Sequence, residues 1–251
     1  MHAHRGGAAL APENTMAAFR AAVALGVHYI ELDVRLCATG ELVVVHDETL
    51  ERVASVPSKP SSLSLAELQA LDVGSHFDSS YASEGVPSLE EVLDELSASV
   101  RFNIEIKEEA LSGDGTSSEL ARLLSSMDLA GRCIVSSFNP ASLRRLSSAC
   151  CVPTGLLYPT DGAGGIKDRL TRKPWFAPLL PIYALHPHQD QVDAELVRRA
   201  HLRGLAVNTW TVNDPARMKQ LLELGVNGLI TDRPDLALEL VAELDSAEPG
   251  Q

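Results

Sequence analysis

Two short runs carry charged side chains spaced two residues apart. Glu31 and Asp33 close the run 28–34, and Glu105 and Lys107 close the run 100–107. Both runs are otherwise strand-like, and residues i and i+2 of a strand point to the same face. Strands that line one cavity would bring Glu31, Asp33 and Glu105 together. Buried carboxylates are costly unless paired or metal-bound. An all-oxygen donor set suits one divalent cation, Mg²⁺ or Ca²⁺, rather than zinc or copper. The competing arrangement is an ion-pair network in which Glu105 meets Lys107 or Arg101.

Two histidines add proton-transfer capacity. His4 ends the first strand candidate, and His46, followed by Asp47, ends the run 41–47. An imidazole titrates near neutrality, so it can take a proton from a nucleophile or give one to a leaving alkoxide. His4 as the base and His46 as the acid is the favoured assignment, with the opposite one left open. The alternative for His46 and Asp47 is a satisfied turn pair. Arg5 offers a planar fork for two phosphate oxygens. Gly6 and Gly7 after it would let backbone approach closely. Trp210 stands at a strand end, as an apolar wall for a ligand or as rim packing. Asn14 or Thr15 is expected to cap the first helix, and Asn213 or Asp214 the helix beginning near Pro215. Asp232 ends the last strand and reads as structural. Among the remaining histidines only His186 ends a strand candidate.

The elements that must position these groups alternate. Strand candidates are Ala3–His4, 28–34, 41–47, 100–107, 133–138, 154–158, 182–187, 205–212 and 228–232. Helical patterns at 15–25, 88–96, 117–127, 193–203 and 215–224 fall between them. Only six residues separate Val34 from Glu41, and they include Thr39-Gly40. A parallel neighbour needs a crossover of a dozen or more residues. The run 41–47 is therefore expected to return as a hairpin arm. Eight strands remain, which predicts a (β/α)8 TIM barrel with a hairpin arm and a small insertion after the second strand, spanning about 41–87. A doubly wound open sheet is the alternative. Residues 1–244 form one domain in this reading, with a tail at 245–251. Loops are expected at 55–62 and 161–181.

Bulk properties narrow the function classes. The chain has 251 residues, 45% of them hydrophobic and 22% charged, as expected of one globular domain. A net charge of −13 repels nucleic acid and anionic membranes at long range. Work on a phosphate ester would then need local cations. No run nears the roughly 20 apolar residues of a membrane span, and the first residues lack a leader pattern. A cytoplasmic location is expected. Cys37, Cys133, Cys150 and Cys151 form no CxxC pair and read as reduced thiols.

Taken in order, nine strings resemble the glycerophosphodiester phosphodiesterase family. They are AHRG at 3–6, APENTMAAF at 11–19, GVHYIELDVRL at 26–36, GELVVVHDETLER at 40–52 and VPSLEEVL at 86–93. NIEIK at 103–107, SSFNP at 136–140, LAVNTWTVND at 205–214 and LGVNGLITDRPD at 224–235 complete them. The resemblance implies a (β/α)8 barrel and metal-dependent hydrolysis of a small glycerophosphodiester to sn-glycerol 3-phosphate and an alcohol. It implies metal ligands at Glu31, Asp33 and Glu105, catalytic histidines at His4 and His46, and Arg5 and Lys107 near the phosphate. The stretch VASVPSKPSS at 53–62 departs from the family's usual turn, which bears on substrate selectivity. Three other functions compete with this one. A lysophospholipase D or phosphoinositide-type barrel would need a lipid-docking surface, for which Trp175-Phe176 is the candidate. A non-catalytic barrel would have lost part of the histidine and carboxylate set. A glycosidase would use paired carboxylates without two histidines.

Overall fold

The computed structural model describes residues 1–158 and 181–247. Eight parallel strands close into a barrel: β1 (His2–Ala3), β2 (Tyr29–Leu36), β4 (Arg101–Ile106), β5 (Cys133–Ser137), β6 (Thr154–Tyr158), β7 (Ala184–Pro187), β8 (Ala206–Thr209) and β9 (Gly228–Thr231). Closure is made by β1, which pairs with both β2 and β9. An open sheet is therefore ruled out. The hairpin arm β3 (Leu42–Val44) runs antiparallel to β2, pairing Val34 with Val44.

Alternation along β2 and β4 shows why they lie in a barrel wall. Ile30, Leu32 and Val34, and likewise Phe102, Ile104 and Ile106, join the apolar layer under the helices. The intervening Glu31, Asp33, Asn103 and Glu105 are also buried, so these strands are covered on both faces.

Helices follow the strands on the outside: α1 (Met16–Leu25), α4 (Leu89–Leu96), α5 (Thr116–Ser126), α6 (Pro140–Ala149), α7 (Ala194–His201), α8 (Pro215–Glu223) and α9 (Pro234–Ala247). Local chemistry sets their ends. Ser88 and Glu91 form a reciprocal capping box on α4. Its Leu89, Val92, Leu93 and Leu96 lie at helical spacing on one buried face. Leu93 is fully buried, so Leu93→Ala is expected to cost about 2–5 kcal/mol. Denaturant unfolding reads this directly, and a loss below about 1 kcal/mol would contradict the packing.

Between β3 and α4 the insertion holds two short helices, α2 (Glu51–Ala54) and α3 (Leu65–Gln69). It has its own apolar cluster, built from Val43, Val45, Leu50, Val53, Leu68, Val73 and Val86. Two expectations need correction. The first strand is His2–Ala3, and His4 opens a 3-10 turn instead of ending the strand. The last helix runs to Ala247, three residues into the expected tail, because Pro234 starts a helix that nothing interrupts there. The expected loop at 161–181, with Trp175-Phe176, lies almost wholly outside the described residues. No helix among the described residues is long and apolar enough to cross a membrane.

Candidate active site

Register places the acidic residues. In the β2–β4 pairing Asp33 stands opposite Glu105, and Glu31 opposite Asn103. Parallel neighbours lie about 4.8 Å apart, so inward side chains at paired positions must meet. Ligand atoms of Glu31, Asp33 and Glu105 lie within 4.8 Å of one another, and all three residues are buried.

Two cations answer part of this charge. Lys107, just beyond β4, forms ion pairs with Glu105 and with Asp33, its Nζ 3.0 Å from Asp33 Oδ1. That second contact is an ion pair off the line of a good hydrogen bond. Arg5 Nε lies 3.5 Å from Asp33 Oδ2. Asn14 Nδ2 donates to the same oxygen at 2.9 Å. Burial alone would raise the Asp33 carboxyl, but Lys107 and Arg5 outweigh it and hold it well below the ordinary range. Burial first, then the neighbouring Asp33 charge, push Glu31 up to about 7. Three carboxylates against two side-chain cations leave one negative charge over, which a proton or a bound cation can answer. The expected ion-pair network and the expected carboxylate cluster are thus both present, sharing Lys107.

Arg5 is placed by strain as well as charge. Its φ is +51°, in the left-handed region, at a cost of about 1–3 kcal/mol. Its N–H donates to Glu31 Oε2 at 2.9 Å, and its carbonyl accepts from the Asn14 N–H. Gly6 follows at φ +87°, where a Cβ would sit 2.7 Å from the Ala18 Cβ of α1. Glycine is required there.

Each histidine is oriented by a carboxylate. His4 Nδ1 lies 2.6 Å from Asp232 Oδ1, just past β9, and Asn213 Nδ2 donates to Asp232 at 2.7 Å. Donation from Nδ1 to Asp232 fixes the tautomer and leaves Nε2 for the site. Burial opposes the charged His4 ring, but the Asp232 hydrogen bond and the Glu31 charge prevail, and its pKa is raised. His46 is brought back over the mouth by the hairpin, with Val45 N–H donating to the Asp33 carbonyl at 3.0 Å. Arg35 donates to the His46 carbonyl through Nε at 3.1 Å and Nη2 at 2.9 Å. The His46 ring Nδ1 meets Asp47 Oδ1 at 2.7 Å. Burial, with Lys107 and Arg5 nearby, lowers its pKa despite the carboxylates.

Other expectations fall out more plainly. Thr15 caps α1, freeing Asn14 for Asp33, and Asp214 caps α8. Trp210 donates from Nε1 to the His186 carbonyl and stands edge-to-face with Phe138 and His188. None of those contacts is with the carboxylates. His186 is fully buried and held by Asn208, and burial pushes it down to about 3, so it is a neutral core imidazole. Sequence reasoning missed Glu13, Arg35 and Arg52, gave Asn213 only a capping part and gave Asp232 only a structural one. The sole local signal for Asp232 was its place at a strand end.

A closed parallel (β/α)8 barrel thus gathers carboxylates, two basic side chains and two carboxylate-oriented histidines, groups able to move protons and to answer developing charge. A profile of the glycerophosphoryl diester phosphodiesterase family matches residues 4–236. The chain belongs to that family and is an enzyme, a phosphoric diester hydrolase. It is 37% identical over 243 residues to a glycerophosphodiester phosphodiesterase of Caldanaerobacter subterraneus subsp. tengcongensis, covering 95% of this chain and 96% of the relative. A structure from Silicibacter pomeroyi DSS-3, described as a candidate glycerophosphoryl diester phosphodiesterase, superposes with a TM-score of 0.85 at 26% identity, covering 97% and 93%. An Oleispira antarctica phosphodiesterase, solved with its product sn-glycerol-3-phosphate, gives 0.81 at 27% identity over 96% of each chain.

Proposed function

We propose that the chain hydrolyses glycerophosphodiesters to sn-glycerol 3-phosphate and an alcohol, with His4 and His46 moving the protons and a divalent cation held by Glu31, Asp33 and Glu105. The observation that carries this is the meeting of three buried carboxylates with Arg5 and Lys107 in one mouth. The relative bound to sn-glycerol-3-phosphate supports the product assignment. The all-oxygen donor set and its one unanswered negative charge fit a hard cation, Mg²⁺ or Ca²⁺. When bound, that cation would supply charge stabilisation at a phosphate oxygen.

The chain's own residues do the rest. Arg5 and Lys107 bind and orient the phosphate, and Trp210 lines the alcohol or glycerol side of the mouth. His4, whose charged form is favoured by Asp232, is read as the proton donor to the leaving alkoxide. His46, whose neutral form is favoured, is read as the acceptor from the nucleophile. The sequence alone, which showed Asp47 beside His46 but not Asp232 beside His4, left this assignment open and favoured the opposite one. Four free cysteines support a cytoplasmic setting.

A coupled assay for glycerol 3-phosphate release from glycerophosphocholine tests the proposal. Activity abolished by chelator and restored by Mg²⁺ or Ca²⁺ is expected. Undiminished release in excess chelator would remove the cation from the mechanism.

Cation binding should also depend on pH in a fixed direction. Glu31 must lose its proton to act as a ligand, and its pKa stands at about 7. Affinity is expected to fall as pH drops below about 7 and to level off above it. Calorimetry in buffers of different ionisation enthalpy reads the protons released. Equal affinity and no proton release at pH 6 and pH 8 would contradict the ligand role of Glu31.

A further inference from the structure

One guanidinium outside the barrel joins two parts of the candidate site. Arg52 lies on α2, in the insertion. Its Nη1 and Nη2 donate to both oxygens of Glu13 at 2.8 and 2.7 Å, and its Nε donates to Asp47 Oδ2 at 2.7 Å. The other oxygen of Asp47 meets His46 Nδ1. Glu13 Oε1 also accepts from Arg5 Nη1 at 2.9 Å. The chain of contacts therefore runs His46, Asp47, Arg52, Glu13, Arg5, and reaches Asp33 through Arg5.

We propose that Arg52 is a positioning residue that sets His46 through Asp47 and Arg5 through Glu13 at the same time. Three features favour this over a surface ion pair of little consequence. The contact with Glu13 is bidentate, the geometry in which Arg differs most from Lys. Glu13 is only 13% exposed, and it holds two guanidiniums at once. Arg5 sits in a left-handed backbone conformation that needs external restraint. The insertion's apolar cluster, which includes Val53 next to Arg52, fixes α2 against the hairpin arm. The insertion is thus part of the machinery that holds proton-transfer and phosphate-binding groups in register.

This rests on the roles given above to His46 and Arg5, so the experiment separates the two. Steady-state kinetics are measured for Arg52→Met, Arg52→Lys, Glu13→Gln and Asp47→Asn, with His46→Ala and Arg5→Met as reference variants. Thermal melts verify folding. Glu13→Gln should act mainly on KM, through Arg5, and Asp47→Asn mainly on kcat, through His46. Arg52→Met should do both, lowering kcat/KM roughly 10–100-fold. Arg52→Lys should recover only part of this, since an ammonium cannot serve both oxygens of Glu13 and Asp47 together. A folded Arg52→Met with kcat and KM within twofold of the parent overturns the proposal while the reference variants remain impaired. Unimpaired reference variants would instead overturn the site reading beneath it. If Arg52→Met fails to fold, the single-branch variants decide. A KM effect from Glu13→Gln with a kcat effect from Asp47→Asn upholds the linkage, and parental kinetics in both refute it.

Discussion

Asp33→Asn is expected to lower kcat/KM by roughly 10³-fold or more, the scale of losing charge stabilisation at a desolvated site. The side chain is 1% exposed and meets Lys107, Arg5 and Asn14. An amide of the same shape removes the anionic charge both cations rely on. It also turns one acceptor into a donor facing groups that donate. The cation concentration for half-maximal activity should rise alongside. Kinetics with a cation titration check both effects, and circular dichroism guards against misfolding. A folded variant that keeps more than about a tenth of the activity would show that Asp33 is not central.

For His46→Ala the expected loss in kcat is roughly 10²–10⁴-fold, the range for a positioned acid–base group. The pH profile adds direction. If His46 accepts the proton, the acidic limb of the kcat/KM profile belongs to its protonation and should disappear in the variant. The alkaline limb, assigned to His4, should remain. His4→Ala should give the mirror result. Loss of the alkaline limb in His46→Ala would exchange the two roles, and unchanged turnover would remove His46 from the chemistry.

Much of this site was legible because it rests on short-range rules. Side chains i and i+2 on a strand share a face, which placed Glu31 with Asp33. The six-residue link after Val34 excluded a parallel crossover, and the structure has an antiparallel arm there. That arm is what returns His46 to the mouth. What escaped notice depends on closure of the barrel. Asp232 reaches His4 across 228 residues of chain, and Arg52 reaches Glu13 across 39. No periodicity encodes such pairs. The first strand was misjudged by one residue because two residues carry no period at all. Asn14 and Thr15 both looked like caps by type, and of the two Thr15 takes that role, its hydroxyl accepting from the Ala18 N–H. Roles for the two imidazoles could not be read from sequence, since they depend on carboxylates brought in from β9 and from the hairpin.

Anomalous diffraction from crystals grown with Mn²⁺, a hard cation that takes oxygen donors, bears most directly on the proposed metal centre. A single strong peak is expected, lying within about 2.5 Å of one carboxylate oxygen from each of Glu31, Asp33 and Glu105. A peak elsewhere, or none at Mn²⁺ levels that sustain turnover, would mean these three side chains do not hold the ion.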